Sequence, residues 1–288
     1  MIPGRIISAM AGFYHVKAEG QTYLCRPRGI FRKTQHTPAV GDLVMITTDG
    51  PKGTIERIAE RSTLLTRPFV ANVTSALLQF SIRDPAPDLL LLDTLIVNCL
   101  YHDIEPILLF NKTDLNTKAE AKALAEIYRA SGFEMHFISV LEGDGLTKLT
   151  EALAEGIYVL AGQSGVGKSS LINQLATTEL AVGDISKKLG RGRHTTRHTS
   201  LVELRDDVYL VDTPGFQNLH LEAGITPEDI VEGYPEFFEL GDCQFYNCLH
   251  QHEPRCVIKQ AYQSGLIHPR RYDNYLILQQ RLQERKEY

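Results

Sequence analysis

The stretch Gly162-Gln163-Ser164-Gly165-Val166-Gly167-Lys168-Ser169 constrains this chain more than any other. It follows the apolar run IYVLA and opens onto SSLINQLA. The pattern G-x-x-x-x-G-K-[ST] in that setting predicts a strand, a tight loop and a helix. The glycines let the backbone curl until its N–H groups face phosphate oxygens, and the helix N-terminus adds a positive dipole end. Lys168 is then placed to bridge the β- and γ-phosphates. Ser169 is placed to ligate Mg²⁺, with Ser170 beside it in the same turn. Asp212-Thr213-Pro214-Gly215 follows a second apolar strand, VYLV, 44 residues after Lys168. A carboxylate at a strand's end holds Mg²⁺ through water, and the Gly215 N–H meets the γ-phosphate.

A base-reading loop completes the set, but it comes first in the chain. Asn111-Lys112-Thr113-Asp114 closes the strand-like run EPILLFNK. A carboxylate there accepts hydrogen bonds from N1–H and the exocyclic amine of guanine. Adenine has no such donor pair and would leave the buried acceptor unpaired. Ser139-Val140, after the next strand, forms the second wall of the base pocket, where Ser-Ala is the more usual pair. A parallel sheet tolerates this order, because its site is assembled in space at the carboxyl ends of strands. The permuted order also sets the γ-phosphate sensor directly against the C-terminal segment.

Around these loops the chain alternates strand and helix. VTSALLQFSI, EPILLFNK, FEMHFISV, IYVLAG, HTSLVEL and DVYLVDT are strand-like. Helical spacing marks PDLLLLDTLIVNCLYH, with Asp88 near its start, TKAEAKALAEIYRASG, closed by Gly132, and GLTKLTEALAEG. That rhythm predicts a mostly parallel sheet covered by helices. The first 67 residues differ. Five short strands, GRIISAM, GFYHVKA, QTYLCRP, DLVMITT and GTIERIA, are cut by Gly and Pro turns. They fit an OB-type barrel, although an SH3-like barrel patterns similarly. This segment holds ten Lys/Arg against five Asp/Glu, in a chain whose net charge is −5. A basic module on an acidic body suits a polyanion, while a solvated charged surface gives the same balance.

After Leu221 the chain turns helical and loopy. Thr226-Pro227-Glu228-Asp229 is a helix start, with a capping hydroxyl, Pro at the first position and acids in the first turn. EPRCVIKQAYQSG and PRRYDNYLILQQRLQERKEY predict two more helices. Before them, Cys243, Cys248, His250 and Cys256 supply three thiolates and an imidazole within fourteen residues. That is a closed tetrahedral set for one structural Zn²⁺, with His252 the rival imidazole and a disulfide the competing use. Cys25 and Cys99 lie in apolar runs and are expected to pack. The expected domains are 1–67, an OB-fold barrel; 68–220, a circularly permuted P-loop GTPase domain; and 221–288, a helical zinc-binding domain. No apolar run approaches the ~20 residues of a membrane span, and the Pro3-Gly4 start, without a basic segment and long apolar core, leads us to expect no export signal.

This motif order, the N-terminal barrel and the Cys/His loop resemble the bacterial small-subunit-dependent GTPases of the RsgA/YjeQ type, over essentially the whole chain. The resemblance implies a cytoplasmic monomer that hydrolyses GTP, with Mg²⁺ and one zinc, on the small ribosomal subunit late in its maturation. It implies ribosomal RNA contacts from the barrel and the zinc domain. ISKKLGRGRHTTRHTS resembles the family's switch I, with Thr195 or Thr196 as the Mg²⁺ ligand. Phe216 stands where Ras-like enzymes carry the water-orienting glutamine. The resemblance offers His194 for that role, and a histidine that only meets RNA or solvent is the competing reading. A GTP-dependent metal-centre or metabolic enzyme, and a non-enzymatic RNA binder, are the alternative functions.

Overall fold

The computed structural model of the 288-residue chain describes residues 1–29, 31, 37–115, 117–180, 199–212 and 220–286. It divides into two units. The first comprises Met1–Ser75, Thr150–Leu160 and Ser169–Phe216, and the second Ala76–Leu149, Ala161–Lys168 and Gln217–Tyr288.

The first unit begins with β1 (Ile2–Met10), β2 (Phe13–Ala18), β3 (Gln21–Pro27), β4 (Leu43–Asp49) and β5 (Lys52–Ile58). Two-residue turns join the first three strands. Ala11-Gly12 and Glu19-Gly20 have positive φ at both central positions, the backbone that matches the right-handed twist of a hairpin. Side chains alternate along β2, so Tyr14, Val16 and Ala18 face the interior. The strands close in the order β1-β2-β3-β5-β4-β1, antiparallel except for the β3–β5 pair. This five-stranded closure is the OB-like barrel, with Ile6, Val16, Cys25, Ile46 and Ile55 buried. Burial pushes the Cys25 thiol up to about 11, consistent with a packing role. The loop before β4 is tied down by buried Asp42. It takes both arms of Arg61, at 2.7 and 2.8 Å, and the Ala39 amide at 2.7 Å.

β6 (Leu64–Thr66) and β7 (Phe69–Ala71) form a small hairpin that the sequence pattern did not reveal. The barrel does not end the first unit's sheet. β12 (Thr199–Arg205) pairs with β1 at Ser8–Ser200 and Ala9–Thr199. On its other side β12 pairs antiparallel with β13 (Val208–Asp212), which runs parallel to β11 (Gly156–Ala161). Only Asp206 and Asp207 separate β12 from β13, and Asp207 has φ 57°. The last two strands are thus a hairpin within an otherwise βαβ rhythm.

In the second unit β8 (Val73–Ser81, which starts in the first) lies beside β9 (Glu105–Asn111), and β10 (Met135–Phe137) runs parallel to β9. β8 is buried from Ser75 onward, as expected of a strand with both faces covered. β10 is shorter than FEMHFISV suggested, because Ile138–Val140 leave the ladder to build a loop. Helix α1 (Leu89–Tyr101) is capped by the Asp88 side chain on the Leu91 amide at 3.0 Å. Its middle, Leu92 to Cys99, is buried throughout, so Asp93, Thr94 and Asn98 must find partners inside. Cys99 is fully buried, with its thiol pushed up by burial. Helix α2 (Lys118–Tyr128) passes through a short 3₁₀ turn into Gly132 at φ 71°, the left-handed cap. Helix α3 (Leu146–Ala152) follows, and α4 (Lys168–Leu180) opens from the phosphate loop.

The end of the chain holds α5 (Pro227–Glu232), a 3₁₀ turn over Pro235–Leu240, α6 (Val257–Gln263) and α7 (Pro269–Lys286). Thr226 and Asp229 form a reciprocal capping box on α5. α6 starts only at Val257, because Cys256 occupies its N-cap position and belongs to the loop before it. Ile230, Tyr234, Phe237, Tyr275 and Leu278 build the core here, packed onto Val97 of α1.

Candidate nucleotide site and metal centre

Both nucleotide loops fall in the second unit. The phosphate loop Gly162–Lys168 leaves β11, and the base loop Asn111–Asp114 leaves β9. Asn111 joins them. Its Nδ2 donates to the Val166 carbonyl at 2.8 Å, and its Oδ1 accepts the Val140 amide at 3.0 Å. One buried amide therefore ties the phosphate loop, the base loop and the Ser139–Val140 wall together. Gly167, at φ 95°, packs against it, since a β-carbon there would lie 2.8 Å from the Asn111 Nδ2.

Asp114 is exposed at the end of the base loop, and the Ser139 hydroxyl donates to its Oδ1 at 2.6 Å. The Glu142 amide in turn donates to the Ser139 Oγ at 3.1 Å. The carboxylate is thus oriented from within, and each of its oxygens keeps an acceptor site, so the two donors on a guanine edge would meet one oxygen apiece. Lys112 has φ 71° and donates through Nζ to the Asp84 carbonyl. Thr113 is half-buried, and its amide reaches the Ile138 carbonyl at 3.2 Å.

Lys168 is half-buried and curls back onto its own loop, donating to the Gly162 and Gln163 carbonyls at 2.8 and 2.6 Å. Burial pulls its ammonium below the ordinary lysine range. A triphosphate would compensate this desolvation, so Lys168 is expected to exchange the carbonyls for phosphate oxygens. Ser164 and Gly165 are exposed, and the Gln163 side chain accepts the Asp88 amide at 3.3 Å. Ser169 and Ser170 are exposed in the first turn of α4, and Asp212 ends β13, both in the first unit. His194, Thr195 and Gly215 lie outside the described residues.

Gln79 on β8 is a site residue that the motifs did not flag. It is fully buried and donates to the same Val166 carbonyl at 3.1 Å. Its Oε1 is buried with no hydrogen-bond partner among the described residues. A lone glutamine in an apolar strand carries no spacing signal, although a buried amide in VTSALLQFSI was itself a hint. The same residue's backbone sets the loop's entry. Gly162 has φ 131°, and a β-carbon there would fall 1.9 Å from the Gln79 carbonyl oxygen. Gly162→Ala is therefore expected to push the loop away from β8 and weaken GTP binding by about 2 kcal/mol or more. Titration with a fluorescent GTP analogue checks this.

The metal set is brought together. The candidate ligand atoms of Cys243, Cys248, His250 and Cys256 all lie within 4.8 Å of one another. Cys243 Sγ is 3.6 Å from His250 Nδ1 and 3.8 Å from Cys256 Sγ, and Cys256 Sγ is 3.4 Å from the same nitrogen. Tetrahedral zinc with ordinary bond lengths requires S···S of about 3.8 Å and S···N of about 3.5 Å. A disulfide would need about 2 Å, so the spacing fits zinc. His252 is not in the set. The loop is braced by Glu253, whose carboxylate accepts the amides of Leu249, Gln251 and His252. Tyr272 and Tyr275 donate to the His250 and Leu249 carbonyls, each at 2.7 Å. Elemental analysis is expected to find one zinc per chain, and stripping it should lower Tm by on the order of 10 °C.

Comparison with known proteins agrees with this geometry. The RsgA GTPase family matches residues 58–222 and the RsgA N-terminal domain residues 3–55. The small ribosomal subunit biogenesis GTPase RsgA of Shouchella clausii is 42% identical over 99% of both chains. The protein of that name from Clostridium botulinum (strain Eklund 17B / Type B) is 42% identical over 95% of this chain and 94% of its own. Among solved structures, the circularly permuted GTPase YloQ aligns with a TM-score of 0.84 and 34% identity, covering 99% of this chain and 96% of its own. YjeQ from Thermotoga maritima aligns at 0.82 and 33%, covering 98% of each. With an interlocked pair of nucleotide loops in reversed chain order, and relatives matched end to end, the chain belongs to the RsgA GTPase family.

Proposed function

We propose that this chain hydrolyses GTP on the small ribosomal subunit and so times a late step of that particle's maturation. The observation that carries the nucleotide half of this reading is the Asn111 bridge between the base and phosphate loops. The names of the relatives carry the ribosomal half. Asp114 selects guanine and Lys168 binds the β- and γ-phosphates. Ser169 with Asp212 would hold the Mg²⁺ that accompanies GTP, which would supply neutralisation of phosphate charge. With Phe216 following Gly215 in the sequence where a glutamine would orient water, His194 positions the attacking water. The basic barrel meets ribosomal RNA, which makes binding salt-sensitive. The protein works as a cytoplasmic monomer, with boundaries near residues 67 and 220 separating barrel, GTPase and zinc modules. No helix among the described residues is long and apolar enough to cross a membrane.

The test is GTP turnover with and without purified small subunits. Turnover alone is expected to be slow and to rise by about 10² or more with subunits, as when a partner completes a GTPase site. An unchanged rate would refute the ribosomal role. His194→Ala should cut the stimulated rate by about 10² while leaving GTP affinity intact.

A further inference from the structure

We propose that the cleft beside the metal centre is a docking site for an arginine-rich segment of a partner protein. The cleft has a volume of about 770 Å³ and runs between α5, the 3₁₀ turn after it and the cysteine loop. Four Phe and Tyr rings line it, and all but Phe237 are exposed. Phe238 keeps 63% of its surface in solvent, Phe245 42%, and Tyr246 is fully exposed. Large aromatics left in water around one concavity are the composition of protein interfaces. They are inconsistent with a core, and no described segment covers them.

Charge identifies the occupant. Glu228, Glu232 and Asp242 line the same cleft, all exposed, and none forms an ion pair among the described residues. No lysine or arginine lines it. Zinc held by three thiolates and a neutral imidazole carries a net charge of about −1, so metal loading does not reverse the sign. The charge of this cleft therefore disfavours a nucleic-acid backbone. A guanidinium satisfies both features at once. It stacks flat on Phe or Tyr, and its fork bonds a carboxylate with two hydrogen bonds. Lysine offers neither the plane nor the fork. The charge distribution therefore separates two surfaces, a basic barrel for a polyanion and this acidic, aromatic cleft for a polycation.

Fluorescence anisotropy of full-length, zinc-loaded protein tests the proposal. The probes are a labelled peptide of alternating arginine and glycine, its lysine–glycine counterpart and a single-stranded RNA oligonucleotide. Phe238→Ala/Tyr246→Ala is expected to weaken arginine-peptide binding about tenfold. The near-isosteric pair Glu232→Gln/Asp242→Asn should weaken it about fivefold and flatten its salt dependence. The lysine peptide should bind about tenfold more weakly than the arginine peptide. RNA affinity and zinc content should be unchanged in both variants. Arginine-peptide binding that is equal in wild type and variants would overturn the proposal, and so would RNA binding that falls with the aromatic pair. None of these readouts involves GTP turnover, so the outcome is separate from the ribosomal reading.

Discussion

Replacing Arg271 with alanine is expected to lower the unfolding free energy by about 3–5 kcal/mol, out of the roughly 5–15 kcal/mol that holds a typical domain together. Arg271 lies on α7 and is completely buried, as is Asp93 on α1. Its Nη1 meets Asp93 Oδ1 at 2.5 Å, and its Nε meets Glu236 at 2.8 Å. Its Nη2 donates to the Gly233 carbonyl at 2.7 Å. Asn274 and Tyr128 complete the shell of Asp93, at 2.7 and 3.0 Å. The Tyr234 ring stacks under the guanidinium, 4.1 Å from its carbon to the ring centre. Each nitrogen of the guanidinium has an acceptor, so removing it strands two carboxylates in a dry interior. That mechanism, and not the intrinsic worth of the ion pair, sets the size of the loss. Burial pushes the Asp93 carboxyl up, and Arg271, Asn274 and Tyr128 pull it back.

The pH dependence follows. Without Arg271 the folded-state pKa of Asp93 rises further above its unfolded value. A raised carboxyl gives stability that is present at low pH and lost as pH rises through the folded pKa. The gap between variant and wild type should therefore be wide at neutral pH and narrow on acidification. Arg271→Lys should be intermediate, since an ammonium serves one carboxylate but not the fork. Urea unfolding followed by circular dichroism measures all of this; the chain has no tryptophan. A loss below about 1 kcal/mol would contradict the account.

The same network bears on function. Asn98, five residues along α1 from Asp93, donates to the His220 carbonyl at 3.0 Å and accepts the Glu222 amide at 3.1 Å. The chain that emerges from the Asp-x-x-Gly segment is thus fastened to the helix that Arg271 anchors. Reversing the order of the nucleotide loops places that attachment immediately before the zinc module.

Much of this was legible in the sequence because the relevant signals are local. The phosphate loop, the base loop, the Thr226 capping box and the metal ligands each lie within one short window, where side-chain type and backbone need coincide. The barrel strands were legible from tight turns and alternation. What stayed hidden depends on distant pairing. Arg271, Asp93 and Glu236 are far apart in the chain, and each alone resembles a solvated charge. Gln79 resembles any polar residue in a strand until the Val166 carbonyl arrives opposite it. The hairpin of β12 and β13, and its attachment to β1, are choices of sheet neighbour that alternation does not encode. FEMHFISV looked like a full strand because Ile138 and Val140 are apolar, but their backbone is used to shape the base pocket.

The claim beneath the rest is that one guanine nucleotide is held by Asp114 and Lys168 together. The most direct measurement compares the affinities of GTP and xanthosine triphosphate for wild type and Asp114→Asn. Ser139 donates to Oδ1, which the asparagine retains, so the loop should keep its shape. The substitution turns the other oxygen from an acceptor into a donor, which opposes guanine's exocyclic amine and matches the carbonyl of xanthine. GTP affinity should fall by about 10³, and the preference should pass to the xanthosine nucleotide. Unchanged discrimination between the two nucleotides in Asp114→Asn would contradict the account.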